Sequence, residues 1–367
     1  LNATFITLLP KVAGAEDICK FRPISLVGSV YKILAKVLAS RLRLVIGKVV
    51  GPYQHAFVAG RQILDAALVA NECVDVSLKS NLPSIICKLD IEKAYDHVSW
   101  CFLMTILERM GFPAKWRKWV YFCISTVHFS ILINGEATGF FPSTRGLRQG
   151  DPLSPLLFIL VMETLSRLIT KASDVGFLEG VLISSSRSND IRVTHLLFAD
   201  DTLIFCKPDI SQLGYLRCIL VLFEVMSGLK INLSKSVIIP VGEVPELDNL
   251  AQFFGCGVDS LPSSYLGLPL GASFKSKVVW EPVVERFRKK LAGWKSVLLS
   301  RGGRLTLLKS SLWSLPIYFM SLFTIPVSIA RILEKIMRDF LWSNNGVTKG
   351  LHWVNWGEVC RPKHHGG

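Results

Sequence analysis

The spacing of apolar positions along the chain alternates between the period of a helix and that of a strand. Apolar residues three or four positions apart predict helices over residues 29–47, 62–79 and 211–226. Gly51-Pro52 ends the first of these patterns, and Gly228 ends the third. The stripe that defines the first helix is Val30, Leu34, Val37, Leu38, Leu42 and Val45.

Strand-like runs lie between these helices. Residues 85–90 read as a buried strand, and residues 128–141 alternate around Asn134-Gly135, a strong hairpin signal. The apolar run 195–206 is interrupted only by the tetrapeptide Ala199-Asp200-Asp201-Thr202. It therefore predicts a tight hairpin that carries its carboxylates at the tip.

The remaining predicted elements depend on cap and breaker residues. Ser99 is predicted to cap a helix that ends near Met110, with Gly111 at its C-terminal cap, and Ser154 to cap an apolar helix with Pro155 in its first turn. The other expectations are extended chain over 1–27, a strand over 230–237, a turn-rich extended element over 265–271, and basic helices from residue 278 onward.

Composition narrows the class of protein. The chain has 367 residues, half of them hydrophobic, which is enough for a large core and argues against intrinsic disorder. No uncharged apolar run reaches the length of a membrane span, so no membrane partner is expected. The nine cysteines form no Cys-x-x-Cys pair, which indicates reduced core thiols in an intracellular protein rather than a zinc site.

The net charge of +14 is unevenly distributed. Residues 18–64, here called the N-terminal basic block, hold eight Lys or Arg and no acid. Residues 281–309, the C-terminal basic block, hold eight Lys or Arg and two Glu. Two separated basic segments favour two surfaces that follow a polyanion, although a pair of solvated basic faces would give the same pattern.

Asp90 and Asp200 are the sharpest candidates for chemistry. Asp90 ends a buried strand, and Asp200-Asp201 interrupts another apolar run 110 residues later. A carboxylate in such a place is costly unless it binds a cation. Two of them that converge could hold the pair of divalent metal ions used in nucleotidyl transfer. The simpler alternative is that these acids only occupy turns.

The order of the motifs resembles a reverse transcriptase, specifically that of the plant LINE-type non-LTR retrotransposons. Residues 88–96, 145–155 and 198–201 resemble its central motifs, KLDIEKAYD, RGLRQGDPLSP and FADD. The supporting segments are FRPISL (21–26), AFVAGRQ (56–62), SGLKINLSKS (227–236) and YLGLPLG (265–271). This resemblance extends from Leu1 to the end of the chain.

The resemblance implies an α+β right-hand polymerase with fingers, a palm of antiparallel sheet backed by helices, and a helical thumb. Residues 1–271 would be fingers and palm, residues 272–350 the thumb, and residues 351–367 the start of an incomplete C-terminal connection. The sequence is expected to be an internal piece of a longer protein, lacking the fingers extension before Leu1.

The resemblance also assigns roles to individual residues. Asp90 and Asp200 would bind metal, with Asp201 contributing less directly and Ile91 offering its carbonyl. The implied cofactor is a pair of Mg²⁺ ions, for which Mn²⁺ could substitute. The expected nucleotide-binding residues are Lys11, Arg22, Tyr95, Gln149 and Gly150, with Tyr95 excluding a 2′-hydroxyl.

Further residues are implied for proton transfer and strand binding. Lys235 or Lys230 is the candidate general acid toward pyrophosphate, although a solvated lysine would look the same in the sequence. The expected primer and template contacts are Arg145, Arg148, Leu266, Gly267, Arg286, Arg288, Lys289 and Lys290. Trp280, Trp294 and Trp313 could stack on bases, but core packing is the simpler interpretation.

The function implied is RNA-directed DNA polymerisation, with an RNA template, a DNA primer and deoxynucleoside triphosphates as partners. Action in the nucleus is expected from the family resemblance alone, and no targeting signal is visible. Two alternatives remain: an intron maturase-like protein, or a non-catalytic nucleic-acid-binding remnant of a decayed element. The presence of Asp90, Asp200 and Gln149 argues against decay of the active site.

Overall fold

The chain divides into two units in a computed structural model, Leu1–Leu266 and Gly267–Gly367. The structure describes residues 2–185, 188–293, 299–342, 353–361 and 363–365. The boundary expected after residue 271 lies just inside the second unit. Each unit is described separately below.

The first unit mixes strands and helices. Its described strands are β1 (Ala3–Pro10), β2 (Phe21–Val27), β3 (Ser84–Leu89), β4 (His128–Ile133), β5 (Glu136–Ala137), β6 (Phe141–Pro142), β7 (Val181–Ser185), β8 (Ser188–Val193), β9 (His195–Phe198), β10 (Asp201–Cys206), β11 (Val237–Val241), β12 (Gly257–Val258) and β13 (Ser263–Tyr265). Its described helices are α1 (Ser29–Val49), α2 (Ile63–Lys79), α3 (Trp100–Arg109), α4 (Ala114–Ser125), α5 (Ser154–Asp174), α6 (Ile210–Ser227) and α7 (Leu247–Phe254).

One five-stranded sheet contains β2, β1, β4 and β5 in that order, with β6 also paired to β4. β1 and β2 are antiparallel, as expected of two extended segments joined by a turn, whereas β1 and β4 run parallel. The hairpin predicted around Asn134-Gly135 joins β4 to β5, and both turn residues have positive φ. These are the left-handed conformations that a two-residue hairpin requires.

The second five-stranded sheet has the order β12, β11, β3, β10, β9. Its central strand β3 is antiparallel to both β10 and β11, with Leu89 opposite Thr202 and Lys88 opposite Val237. The pairing of β11 with β12 is parallel, so this sheet is mostly rather than wholly antiparallel. β3 is almost fully buried, which agrees with its mostly apolar sequence, SIICKL.

Helix α1 confirms the predicted element but only part of the predicted buried face, since Leu38 and Leu42 of the stripe are buried. Its buried residues are Tyr31, Ala35, Leu38, Ala39, Leu42 and Ile46. Val30, Leu34 and Val37 of the predicted stripe are 58%, 55% and 47% exposed. The helix carries apolar side chains around most of its circumference, so periodicity alone cannot select the face that packs on the core.

Helix α5 lies at the centre of the first unit. Thirteen of its 21 residues are buried, and most of these are apolar. Pro155 lies in the first turn as predicted, but the N-cap residue is Leu153 and not Ser154. The Leu153 backbone N–H donates to Asp151 Oδ1 at 2.8 Å, so an aspartate side chain satisfies the amide of the N-cap residue itself.

Helix α3 matches its prediction closely. The Ser99 hydroxyl accepts from the backbone of Phe102, and Gly111 follows the C-cap residue Met110 with a φ of 83°. Helix α6 likewise ends at Gly228 in the left-handed conformation.

Residues 230–237 were predicted to be a strand, and for 230–236 this prediction is wrong, since only Val237 belongs to one. Residues 230–236 form turns and a single bridge between Ile231 and Ile91, and the strand β11 begins only at Val237. The Glu92 backbone N–H donates to the Lys230 carbonyl at 2.9 Å, and the Asn232 N–H donates to the Asp90 carbonyl at 2.8 Å. The segment therefore pairs briefly with the chain after β3 rather than with a full neighbouring strand.

Helix α6 is long and apolar enough to cross a membrane, by length and composition only. Its Leu213, Leu216, Leu220 and Phe223 belong to the buried core of the first unit. Core packing accounts for these side chains, whereas Val221, Leu222 and Val225 of the same helix are exposed.

The second unit is mainly helical. Its described elements are the strand β14 (Leu268–Leu270) and the helices α8 (Glu281–Gly293), α9 (Arg301–Leu307), α10 (Ser314–Met320), α11 (Val327–Trp342) and α12 (Trp356–Val359). Trp280 is fully buried, with its ring centroid 5.9 Å from that of Phe319. This is the core role expected for it, whereas Trp313 is 45% exposed and Trp294 lies outside the described residues.

A buried histidine in β9 makes stability dependent on pH. His195 is fully buried, with Nε2 2.7 Å from Ser166 Oγ and Nδ1 2.8 Å from Thr194 Oγ1. Burial lowers the pKa of its imidazole to about 3. Because the unfolded chain takes up this proton below about pH 6.5 and the folded chain does not, stability is lost as pH falls from that value toward 3.

We expect His195→Gln to reduce the loss of unfolding free energy on acidification by up to about 1.4 kcal/mol per pH unit within that window. The measurement is urea denaturation at several pH values between 7.5 and 4.5. His128→Gln, at an exposed position on β4, is the control and should keep the wild-type pH dependence. Equal slopes for wild type and His195→Gln would show that His195 takes up a proton in the folded state.

Candidate active site

Three carboxylates meet at one end of the second sheet. Asp90 directly follows β3, and Asp201 is the first residue of β10. Because Leu89 pairs with Thr202, the next position along this antiparallel ladder places Asp90 opposite Asp201. Asp200 lies in the two-residue turn between Phe198 and Asp201, which pair with each other. The predicted hairpin with carboxylates at its tip is confirmed.

The electrostatics of the site show that these groups interact. Asp201 is exposed as a whole, but its carboxyl loses part of its hydration at the sheet end. This desolvation, followed by the negative charges of Asp200 and Asp90, raises the pKa of the Asp201 carboxyl, and Lys88 opposes the shift. Carboxylates that repel one another in this way favour a cation.

Tyr95 lies beside the same carboxylates. It is half-buried, and its ring stacks on that of Phe158 of α5 with centroids 4.9 Å apart. Burial, and secondly the charge of Asp200, raise the pKa of its hydroxyl to about 12. Tyr95 therefore stays protonated at neutral pH, and α5 fixes the plane of its ring.

Side chains outside the hairpin hold the backbone of Asp90. The Asp90 N–H donates to Ser236 Oγ at 3.1 Å, and that hydroxyl donates to the Asn232 carbonyl at 2.8 Å. Ile91, the next residue, is buried and bridges Ile231. The 230–236 segment, which was predicted to be a strand, thus positions the carboxylate at the end of β3.

The donor set of the site fits a hard divalent cation only in part. Within the described residues, no group of three or more His, Cys, Asp or Glu could by itself hold a metal ion. Asp90 and Asp200 supply oxygen ligands of the kind that Mg²⁺ prefers, and Mg²⁺ commonly completes its shell with water and substrate phosphates. The residues present therefore fit a metal that is held jointly with a substrate.

The 145–151 loop packs against the chain next to Tyr95. A side chain at Gly146, whose φ is 85°, would drive its Cβ into the Asp96 carbonyl, so only glycine fits there. Gly146 N–H donates to the Val98 carbonyl at 2.8 Å, and Leu147 N–H donates to the Tyr95 carbonyl at 2.6 Å. These contacts fix the loop relative to the carboxylates.

Gln149 and Gly150 connect this loop to the first sheet. The Ser25 N–H of β2 donates to the Gln149 carbonyl at 2.8 Å, and Gly150 adopts a φ of 102° against Ser25. The Gln149 side-chain amide lies 3.4 Å from Asp96 Oδ1. Burial raises the pKa of the Asp96 carboxyl, while the Gln149 amide and the more distant Lys11 charge oppose that shift.

A cavity of about 270 Å³ opens between β1, β2 and the 145–151 loop. Its polar lining includes Ser25, Asp96, Arg145 and Gln149. Lys11 interacts electrostatically with Asp96, and its Nζ donates to the Cys19 carbonyl at 3.1 Å. Arg22 is exposed on β2, adjacent to Pro23 in the cavity wall.

The expectation that Arg148 contacts primer or template is wrong. Its side chain is 4% exposed, and it forms an ion pair with Asp151 at 2.8 Å. It also donates to Asn2 Oδ1 at 2.7 Å and lies 3.9 Å above the Tyr31 ring. The guanidinium is therefore paired inside the first unit, in the wall of the cavity, and not exposed to a strand at the surface.

The other predicted strand-binding and acid residues remain accessible. Lys230, Lys235, Arg145 and Gly267 are exposed, and Leu266 is half-buried with a φ of 50°. Helix α8 buries Val283, Val284 and Phe287 on one face and exposes its basic residues on the other. Those exposed residues are Arg286, Arg288, Lys289 and Lys290.

Two arginines of the basic blocks turn inward instead. Arg61 donates to the backbone carbonyls of Gly51 and Gln54, and Arg304 is 8% exposed near the carbonyls of Phe340 and Leu341. Their charges are used to satisfy helix and loop carbonyls within each unit.

Several residues that shape the site were given no individual role from the sequence. Ser236 and Gln54 are buried polar side chains that bond to the backbone beside Asp90 and Asp200 respectively. Lys88 lies inside the KLDIEKAYD motif, yet its Nζ donates to the Ser264 carbonyl at 2.6 Å, a hydrogen bond across 176 positions. Such long-range contacts leave no local pattern, so only the fold shows them.

The chain belongs to the reverse transcriptase family. The family model described as "Reverse transcriptase (RNA-dependent DNA polymerase)" matches residues 10–270, which is more than half of the chain. The match covers the carboxylates, Tyr95 and the 145–151 loop.

Relatives place the domain among those of non-LTR retrotransposons. The chain is 28% identical to the transposon TX1 uncharacterized 149 kDa protein of Xenopus laevis, over 99% of this chain and 27% of that protein. It is 27% identical to the Pol polyprotein of the type-2 retrotransposable element R2DM of Drosophila melanogaster, over 92% of this chain and 31% of that protein. The chain thus spans under a third of these relatives.

A solved structure supports the architecture. The fold is similar to that of apo telomerase from Candida tropicalis, with a TM-score of 0.52 and 12% identity, over 93% of this chain and 63% of that one. With the mixed sheets and helices above, this agrees with the right-hand polymerase fold.

The Arg148–Asp151 pair yields a prediction about stability. We expect Arg148→Met to lower the unfolding free energy by about 3–5 kcal/mol, because the Asp151 carboxylate would stay buried without its counter-charge. The measurement is urea denaturation at pH 7.5. Lys79→Met, which breaks the exposed pair with Asp75, should cost less than about 1 kcal/mol. Similar losses in the two variants would contradict the structural role of Arg148.

Proposed function

We propose that this reverse transcriptase domain extends a DNA primer on an RNA template by metal-assisted nucleotidyl transfer, with Asp90 and Asp200 as the main metal ligands. The observation that carries this proposal is the convergence of both carboxylates at one end of the sheet. There the charges of both act on the carboxyl of Asp201. The relatives named above are much longer than this chain, so activity of the isolated chain is part of the proposal.

Reverse transcriptase domains use divalent metals, and we propose two Mg²⁺ ions here, with Mn²⁺ as a substitute. Asp90, Asp200 and the Ile91 carbonyl would hold them, assisted by Asp201. The chemistry supplied by the bound ions would be activation of the primer 3′-hydroxyl and stabilisation of charge on the phosphates. Lys230, whose carbonyl accepts from the Glu92 N–H, or the exposed Lys235 would donate a proton to the departing pyrophosphate.

The nucleotide would lie between the carboxylates and the cavity. Tyr95 would contact its sugar, and the stacking of the ring on Phe158 and its interaction with Asp200 support this role. Gln149 and Gly150 at the cavity would face the base and template, while Lys11 and Arg22 would bind the triphosphate. A guanidinium fork suits phosphate oxygens, and the lysine adds a point charge.

The template–primer would be held by the exposed basic surfaces, with Arg145, Leu266 and Gly267 as further contacts. We propose that residues 1–271 act as fingers and palm and the helical remainder as a thumb. The plant LINE origin is supported only by shorter matches to Arabidopsis thaliana proteins. Action in the nucleus belongs to the same proposal and is supported by family resemblance alone.

The first test is catalysis. We expect Asp90→Asn and Asp200→Asn each to lower primer extension by at least about 100-fold, since each removes a metal ligand worth several kcal/mol in the transition state. Extension of a labelled DNA primer on RNA with Mg²⁺ measures this, and template binding should be nearly unchanged. Asp248→Asn, an exposed aspartate on α7, is the control and should retain activity.

Wild-type extension rates in both site variants would refute the assignment of Asp90 and Asp200. A wild-type chain that binds template–primer but never extends it would favour the non-catalytic remnant instead.

The second test concerns the charge on α8. Replacing its four exposed cations by Gln should flatten the plot of log affinity against log salt, by up to roughly 0.9 for each phosphate that is no longer neutralised. Titration of a labelled RNA–DNA hybrid at several salt concentrations measures this slope. A control with the same change in charge replaces four exposed lysines outside both basic blocks: Lys79, Lys115, Lys118 and Lys171. An unchanged slope in the α8 variant would show that this helix does not face nucleic acid.

A further inference from the structure

The segment between α1 and α2 runs alongside the hairpin that carries Asp200. Gln54 forms a parallel bridge with Leu197 of β9. The Leu197 N–H donates to the Tyr53 carbonyl at 2.9 Å, and the His55 N–H donates to the Leu197 carbonyl at 2.9 Å. The segment therefore adds a short extra strand to the edge of the sheet, next to the carboxylate turn.

The Gln54 side chain reaches the turn itself. It is 1% exposed, and its Oε1 accepts from the Ala199 N–H at 3.0 Å and from the Ala56 N–H at 2.9 Å. Ala199 directly precedes Asp200. One buried oxygen thus joins the turn to a segment that lies 145 positions earlier in the chain.

The turn needs such support because of its backbone conformation. Ala199 has a φ of 56°, in the left-handed region that alanine rarely occupies. A non-glycine residue keeps that conformation only where surrounding contacts impose it. The hydrogen bond from Gln54 acts on the amide of this residue and so bears directly on the direction of the next side chain, Asp200.

The segment that carries Gln54 is itself held firmly. Arg61 donates to the Gln54 and Gly51 carbonyls, and the Gly51 N–H donates to Glu163 Oε2 at 2.9 Å. Glu163 is 1% exposed on α5 and pairs with Arg167. The Gln54 backbone is therefore anchored to the central helix, which gives its side chain a fixed point from which to hold the turn.

We propose that Gln54 is a positioning residue that orients Asp200 for metal binding through the Ala199 amide. The inference rests on the proposed metal-assisted function but concerns a residue to which nothing above assigns a role in the reaction. Gln54 touches neither metal nor substrate. Its acceptor oxygen, and not its volume, is the feature that the site requires.

The side-chain amide of Gln54 allows the effect of its acceptor oxygen to be separated from the effect of its volume. Its Nε2 is buried without a hydrogen-bond partner within the described residues, so the contacts are made by Oε1. Gln54→Met keeps a similar shape and removes the acceptor, whereas Gln54→Glu, in the neutral acid form that burial favours, keeps an acceptor oxygen at the same place. Ser166→Ala is the matched control, since it removes a buried hydrogen bond to His195 at the other end of β9.

The first readout is hydrogen exchange of the 197–201 amides in the full chain without metal. We expect exchange in Gln54→Met to be faster by up to about tenfold, the effect of losing one buried hydrogen bond. The second is Mn²⁺ binding by electron paramagnetic resonance in the presence of RNA template and DNA primer. There we expect several-fold weaker binding in Gln54→Met, with Gln54→Glu and Ser166→Ala close to wild type.

The outcomes separate this inference from the proposed function. Unchanged exchange and Mn²⁺ binding in Gln54→Met would overturn it, as would an equal effect in Ser166→Ala, which would indicate general loosening of β9. Equal losses in Gln54→Glu and Gln54→Met would show that the acceptor oxygen is not what matters. If Asp90→Asn left Mn²⁺ binding unchanged, the metal site would fail, yet the exchange data would still decide whether Gln54 holds the turn.

Discussion

Mutual repulsion of carboxylates at the end of a buried sheet is the constraint on which the rest of the first unit depends. Asp90, Asp200 and Asp201 are brought together by the ladder between β3 and β10. Desolvation, followed by the negative charges of Asp200 and Asp90, raises the pKa of the Asp201 carboxyl. Such an arrangement costs stability and is retained only if the surrounding fold holds it rigidly.

The contacts that support the carboxylates come from two different segments, and in each a side-chain oxygen accepts from a backbone amide. On one side Ser236 accepts from the Asp90 amide, and on the other Gln54 accepts from the Ala199 amide. Both side chains are buried and act on the backbone, which leaves the carboxylates themselves open. Tyr95 and the 145–151 loop complete the surroundings, since Leu147 bonds to the Tyr95 carbonyl and Gly146 fits only without a side chain.

The sequence predicted those parts that depend on local chemistry. The hairpin at Ala199-Asp200, the cap at Ser99 and the end of α6 at Gly228 follow from turn and cap residues, and the structure confirms them. The predictions that failed concern partners far along the chain. The 230–236 segment has strand-like composition, but its hydrogen bonds go to residues 90–92, and the buried face of α1 depends on what packs against it.

The arginines show most clearly why the number of cations in a sequence exceeds the number that can contact nucleic acid. Arg61, Arg148 and Arg304 lie in or beside glycine-rich or basic segments, yet each binds carbonyls or a carboxylate inside its own unit. A cation that is paired internally releases no counterions when phosphate approaches, so it adds nothing to the salt dependence of binding. The four exposed cations of α8 differ because the buried Val283 and Phe287 fix the helix face and direct them into solvent. The net charge of +14 therefore divides into cations that hold the fold together and cations that remain free for a polyanion, and burial, rather than position in the sequence, separates the two.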